Sequence, residues 1–305
     1  MRSILNSAKI STKPGARPPA AVELSPEGVL AAALPGSGDA PVYAFASLSP
    51  GTLIPGIGEP NIRDAEQVSA AIRSALNQVS PRTRAVTLVL PDTVVRVFML
   101  DFDSLPARAA EAIPILRFRL RKMVPFDIEH AGVSYQVLSQ EKNEWKVLTA
   151  VLPGPILVEY EAAVRSAGYE PGAVLPSSLA ALEAIDSMEA VLTANLSPIA
   201  LTTSIANGND LLLHRTLDLP ENPALRLAEI QRGIAVAAAY FEDKLQAPAR
   251  TLHYAGYYET ADFASWIDNP DLTVVDLAPR PKTGAMTSLG HASIAGTAGA
   301  LAGAS

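Results

Sequence analysis

Apolar positions recur along this chain in two rhythms. Short apolar or alternating runs fall at "AAVEL" (20–24), "GVLAAAL" (28–34) and "VYAFASL" (42–48). More occur at 84–91, 94–102, 132–140 and 144–152, the last two joined by the tight turn "EKN". Bounded by Gly, Pro, Asn and Ser, such runs predict strands. The helical rhythm appears at 65–79, where Val68, Ile72, Leu76 and Val79 recur and Asp64 stands as N-cap. It appears again at 107–123, with the stripe Ala109, Ile113, Leu116, Leu120 and Met123, and Pro114 predicts a kink or a second start there. A third helix, 155–168, opens on Pro and closes on Gly.

The second half repeats the style. Strands are predicted at 189–196, 199–206 and 210–218, then a long helix over 222–246, a strand at 250–256, a helix near 260–268 and a strand at 272–278. Each half therefore opens on three consecutive strands. Hairpins followed by helical crossovers imply an α/β fold with mixed sheets. The first two strands of each half meet at the same corner, Leu24-Ser25-Pro26 and Leu196-Ser197-Pro198.

Composition narrows the classes. Of 305 residues, 49% are hydrophobic and 18% charged, enough to bury a sizeable core. No apolar run approaches the roughly 20 residues that span a bilayer. The basic start, residues 1–19, lacks the apolar stretch of a signal peptide and reads as a tail. There is no Cys, which removes disulfides and thiolate chemistry and favours the cytoplasm. The net charge of −7 argues against nucleic acid as a partner. The four His have no metal-ligand spacing, and neither a G-x-S-x-G nor a Walker A motif is present, so no catalytic or metal residue is assigned. Asp92, Asp101 and Asp103 read as a solvated acidic edge.

The segment "LRFRLRKMVPFDIEHAGVSYQVL" (116–138) resembles the signature region of the type IV pilus assembly protein PilM family, with Arg121, Lys122, Val124, Pro125, Phe126, Asp127, Tyr135, Gln136 and Val137 at matching positions. "AVLPSSLAALEAI" (173–185) and the stretch 228–256 keep the family's order, so the resemblance covers about residues 20–280. The secretion protein GspL and the division protein FtsA share the architecture. The resemblance implies the actin-like ATPase fold: a first domain over 20–92 and 171–187, an inserted subdomain over 93–170, a second domain over 188–283, and a C-terminal Ala/Gly-rich helix or tail over 284–305. It implies ATP between the domains, and a place on the cytoplasmic face of the inner membrane. The implied partner is the N-terminal tail of a PilN-like inner-membrane protein. PilO-like proteins or pilus motor components are further candidates.

The phosphate loops depart from the family's pattern. Glu23 takes the place of an Asp and Ser25 that of a Gly, with Pro26 and Glu27 next. In the second loop Asn195 replaces Asp, and Ser197 and Pro198 replace Gly and its successor; the adenosine loop is Ala255-Gly256-Tyr257. Phosphate loops use Gly so that backbone N–H groups approach oxygens closely, and Pro removes such a donor. Glu27 would repel a polyphosphate, and Asn195 lacks the charge of a Mg²⁺ ligand. The expectation is a degenerate nucleotide site and a non-catalytic scaffold without cofactor. An ATP-binding switch using ATP and Mg²⁺, and a division-type filament protein, stay open.

A partner surface is expected on the helix at 107–123. Phe118 lies about 160° from the Leu116/Leu120 stripe, on the wet face beside Arg117, Arg119 and Arg121, and Phe126 comes after it in the signature turn. The tail's Arg2, Lys9, Lys13 and Arg17 allow weak contact with an anionic membrane surface.

Overall fold

A computed structural model of the chain describes residues 17–36, 39–142, 144–279 and 292–304. Residues 1–16 of the predicted tail, residues 280–291 and Asn143 of the predicted turn lie outside the described residues.

The first half runs β1 (Ala20–Ser25), β2 (Gly28–Ala33), β3 (Val42–Ser47), α1 (Ala65–Val79) and β4 (Ala85–Leu90). After a single 3-10 turn at Asp92–Val94 comes β5 (Arg96–Phe102), α2 (Ala109–Leu120), β6 (Gly132–Glu141) and β7 (Glu144–Leu152). The half closes with α3 (Gly154–Ser166), β8 (Glu170–Pro176) and α4 (Ser177–Leu182). The second half runs β9 (Ala190–Leu196), β10 (Ala200–Asn207), β11 (Asp210–Asp218), α5 (Pro223–Leu245), β12 (Thr251–Gly256), α6 (Thr260–Trp266), β13 (Thr273–Asp276) and α7 (Ala295–Ala302).

The two large sheets have one topology. Their orders are β3-β2-β1-β4-β8 and β11-β10-β9-β12-β13. In each, three antiparallel strands are followed by two parallel ones. The mixed sheets and the internal repeat expected from the sequence are both present.

Local chemistry fixes the helix ends, at Asp64 and Gly168 as predicted and at Asn222, which caps the long helix instead of opening it. The Asp64 side chain accepts from Gln67 N at 2.9 Å, and Asn222 does the same for the first turn of α5. The chain leaves α3 through Gly168 at φ +89. α2 departs from expectation: it runs through Pro114, and Met123 lies beyond its end with 42% exposure. The hydrogen bond lost at Pro114 would go to the carbonyl of Ala110, which is exposed and reaches water.

The inserted unit is a three-stranded sheet, β5-β7-β6, with α2 on one face. The expected 93–170 segment also takes in α3, but α3 packs elsewhere. Its Ile156, Leu157, Tyr160 and Val164 join Val68, Ile72 and Leu76 of α1 in the core under the first sheet. The other face of that sheet is covered by α7, whose Ile294, Ala300 and Leu301 meet Ala21, Leu30 and Val89. The chain's last described helix therefore returns to the first half and packs against α4.

Candidate functional site

The two Leu-Ser-Pro corners face each other across a cavity of about 290 Å³ at the boundary between the halves. Crevices at the carboxyl ends of sheet strands are the usual ligand sites of such folds. Here three carboxylates line it, Glu23, Glu27 and Asp92, with Pro26, Pro198 and Phe45 among its walls.

At both corners part of the donor set is missing or already bonded. At the second, the Ser197 hydroxyl takes up the backbone N–H of Ala200 (3.0 Å) and of Ile199 (3.4 Å), while Pro198 has none to give. Ser197 N is bonded to Ala200 O at 2.9 Å. At the first, Pro26 likewise has no N–H, and Ser25 Oγ bonds Gly28 O at 3.2 Å. Gly256 and Tyr257 of the Ala255-Gly256-Tyr257 loop line the cavity, and the loop is closely packed on its other side. Ala255 is buried against Ala181 and Ala295. A Cβ on Gly256 would stand 2.6 Å from Tyr254 Cζ and 2.8 Å from Leu196 O. Tyr254 itself stacks on Phe263 at 4.0 Å and bonds Tyr258 O through its hydroxyl at 3.1 Å.

Along the cavity wall a chain of polar groups crosses from one half to the other. Asn195 Nδ2, on β9, donates to Asp92 Oδ2 (3.3 Å) and to Ser177 Oγ (3.2 Å). Ser177, at the start of α4, donates to Glu23 Oε1 on β1 (2.6 Å). Asp92 Oδ1 accepts from Ser178 N (3.0 Å) and Ser178 Oγ (2.8 Å). The second Glu23 oxygen, Oε2, is sealed from solvent without a hydrogen bond among the described residues. It faces the first turn of α7, where a Cβ on Gly296 would stand 2.5 Å away.

These carboxylates are held away from their ordinary state. Burial pushes Glu23 up to about 7; the Ser177 hydrogen bond opposes the rise, the nearby Asp92 adds to it, and the backbone N–H of Thr297 in the first turn of α7 opposes it again. Burial also raises Asp92, against the bonds from Ser178, Thr202 and Asn195. Of this bridge, Glu23 and Asn195 stand out in the sequence; Ser177 does not, and Asp92 reads there as part of a solvated edge. Asp92 lies instead in the boundary, while Asp101 and Asp103 are exposed. A signal was present: β4 and β8, paired Leu90 to Pro176, both run out through Leu-Pro into a polar residue, Asp92 and Ser177.

The residues expected at the partner surface are placed differently from one another. Phe118 is 77% exposed, with Ile115 one turn before it and Met123 beyond. Arg117 is turned inward and donates to the carbonyls of Ile128 and of Ala131, the latter at 2.8 Å, bracing the turn after α2. Arg121 pairs with Glu129. Phe126 is half-buried against the α2 core. Arg119 and Lys122 are exposed and make no ion pair among the described residues. No group of His, Cys, Asp or Glu able to hold a metal occurs among the described residues, and no described helix is long and apolar enough to cross a membrane.

No family profile and no curated relative matches the chain. Solved structures do. A PilM–PilN type IV pilus biogenesis complex aligns at TM-score 0.72 and 17% identity, over 94% of this chain and 98% of that one. The chain has the actin-like ATPase fold. The cytoplasmic domain of EpsL, an inner-membrane component of the Vibrio cholerae type II secretion system, aligns at TM-score 0.50 and 13% identity, over 88% and 92% of the two chains. At these identities the likeness fixes the fold, and the site must be read from its own residues.

Proposed function

We propose that the chain is a non-catalytic scaffold of a type IV pilus or related secretion machine, working at the cytoplasmic face of the inner membrane. It would hold the N-terminal tail of a PilN-like membrane protein without a nucleotide. One observation supports the loss of the nucleotide: the bridge Glu23–Ser177–Asn195–Asp92 lines the boundary with groups that bond one another, and the Ile199 and Ala200 N–H groups of the second corner are already taken by Ser197. A polyphosphate entering there would meet three carboxylates and two prolines. The solved neighbour in which PilM is held with PilN supports the choice of partner.

For the surface that receives the tail, Phe118 is the strongest anchor, because a 77% exposed aromatic beside the exposed cations Arg119 and Lys122 suits an acidic segment with an apolar residue. Arg117 and Phe126 act behind it, shaping the turn. The test is binding of a labelled PilN-like N-terminal peptide to the whole chain without nucleotide. Binding at about 100 µM or tighter is expected, with Phe118→Ala weakening it about tenfold or more. No binding by any such peptide would remove the partner. Binding that ignores Phe118→Ala would move the groove elsewhere. The paired Met99 and Leu148, on the sheet face away from α2, are then the next apolar strip to vary.

A further inference from the structure

The bridge between the halves does more than fill the boundary. It brings two carboxylates from the first half, Glu23 and Asp92, to one amide from the second, Asn195. Every element around it contributes a neutral or acidic group. β1 gives Glu23, the turn after β4 gives Asp92, α4 gives Ser177 and Ser178, β9 gives Asn195, and β10 gives Thr202. The corner after β1 adds Glu27 to the cavity wall. α7 presents only its first turn, Gly296 and Thr297. No Lys, Arg or His among the described residues lines the cavity or bonds the bridge.

We propose that this bridge is a proton-operated latch: with a proton on the Glu23–Asp92 pair the halves stay closed over the cavity, and with both carboxylates ionised they part there. The physical reason is the asymmetry between the two arrangements. Closed, the two acids lie out of water on one bridge and repel each other, Ser177 serves only Glu23, and the Thr297 backbone N–H in the first turn of α7 offsets only part of the cost of burying the Glu23 charge. Parted, both carboxylates reach water.

Linkage fixes the direction. Enclosed, Glu23 holds its proton up to about pH 7; hydrated, it gives it up near 4.5. The open arrangement therefore gains as pH rises between these values. Taking 4.5 and 7, the open fraction grows about tenfold from pH 6 to pH 8.

The experiment is hydrogen exchange of the whole chain at pH 6 and pH 8, each corrected for its intrinsic exchange rate. Peptides covering the start of α4 and the corner after β9 report the latch, and α1 is the reference. Expected is a rise of about tenfold in opening at the two latch segments, with α1 unchanged. Glu23→Gln should stay protected at both pH values, and Asn195→Ala should be open at both. An unchanged wild-type protein, an equal rise at α1, or a Glu23→Gln protein that keeps the full rise would each overturn the latch. The proposal rests on the reading that the boundary holds no nucleotide. Slowing of these same amides by Mg-ATP would sink that reading, while the pH comparison without nucleotide judges the latch separately.

Discussion

Gly299 is where α7 lies against the backbone of α4, with no room for a Cβ, and replacing it by Ala tests where that helix sits. A Cβ there would fall well inside contact with the carbonyl oxygen of Ala180, 2.7 Å from Ala180 C and 3.1 Å from Ala184 N. All three are backbone atoms of α4 or the turn after it, so no rotamer can yield. Two effects compete. Ala is favoured over Gly in a helix by about 1 kcal/mol. Overpacking against backbone costs about 1–3 kcal/mol, and more where the helix must shift bodily. The upper limit is detachment, which exposes Ile294 and Leu301, each buried at 3% or less and worth about 1.5–3 kcal/mol. After the propensity gain the loss reaches about 2–5 kcal/mol at that limit, or a midpoint lower by about 3–8 °C at about 2.1 cal/mol/K per residue over 305 residues. Circular-dichroism melts of Gly299→Ala, with Gly58→Ala as the control whose Cβ meets only open space, read it directly. A midpoint equal to or above the wild type would mean that propensity alone decides, and that α7 does not pack on α4.

Millimolar Mg-ATP should leave the melting midpoint where it is, because a ligand at about 100 times its Kd would add about 2.7 kcal/mol; a rise of several degrees with heat of binding would restore a working nucleotide site. His214 supplies an opposite pH slope to that of Glu23. It is sealed beside Ser204 (2.9 Å), its Nε2 has no partner among the described residues, and burial holds it down to about 4 from 6.5. The folded state thus prefers the neutral ring, and stability present above pH 6.5 drains as pH falls toward 4, by up to about 1.4 kcal/mol per unit. Urea unfolding at pH 4.5 and 7 should show that loss in the wild type and much less of it in His214→Gln; equal slopes would mean the ring is hydrated.

How much of the structure was legible in the sequence depends on how local each signal is. The strands, the α1 stripe and the Asp64 cap are decided within a few residues, so periodicity and capping chemistry were enough. Phe118 was legible too, because the wheel angle alone sets it opposite the Leu116/Leu120 stripe that is buried in the structure. Arg117 was not. It follows the buried Leu116 and precedes the exposed Phe118, but the turn at 124–131 folds back and offers two carbonyls, which only the tertiary structure supplies. Asp92 failed for the same reason in reverse: grouped by sequence with two solvated acids, it is drawn inward by Ser178 and Asn195, residues 86 and 103 positions away.

The repeat explains why those distant groups meet at all. Two sheets with one strand order turn their carboxyl ends toward each other, so the residues after β1, β4 and β8 confront those after β9 and β12. In this chain Glu23, Ser177, Asn195 and Asp92 bond one another, and among the described residues one of their buried oxygens makes no hydrogen bond of ordinary geometry. Glu23 Oε2 is that oxygen, and Gly296 is the residue whose missing Cβ leaves room for it. α7 comes from the end of the second half yet packs on the first sheet, so the helix that encloses Glu23 also ties the two halves together. The proton affinity of one carboxylate and the placement of the last helix are thus one structural fact. A change at Gly296 or Gly299 that moved α7 outward would hydrate Glu23, return it toward an ordinary carboxylate and flatten the pH dependence of the boundary along with the fold's stability.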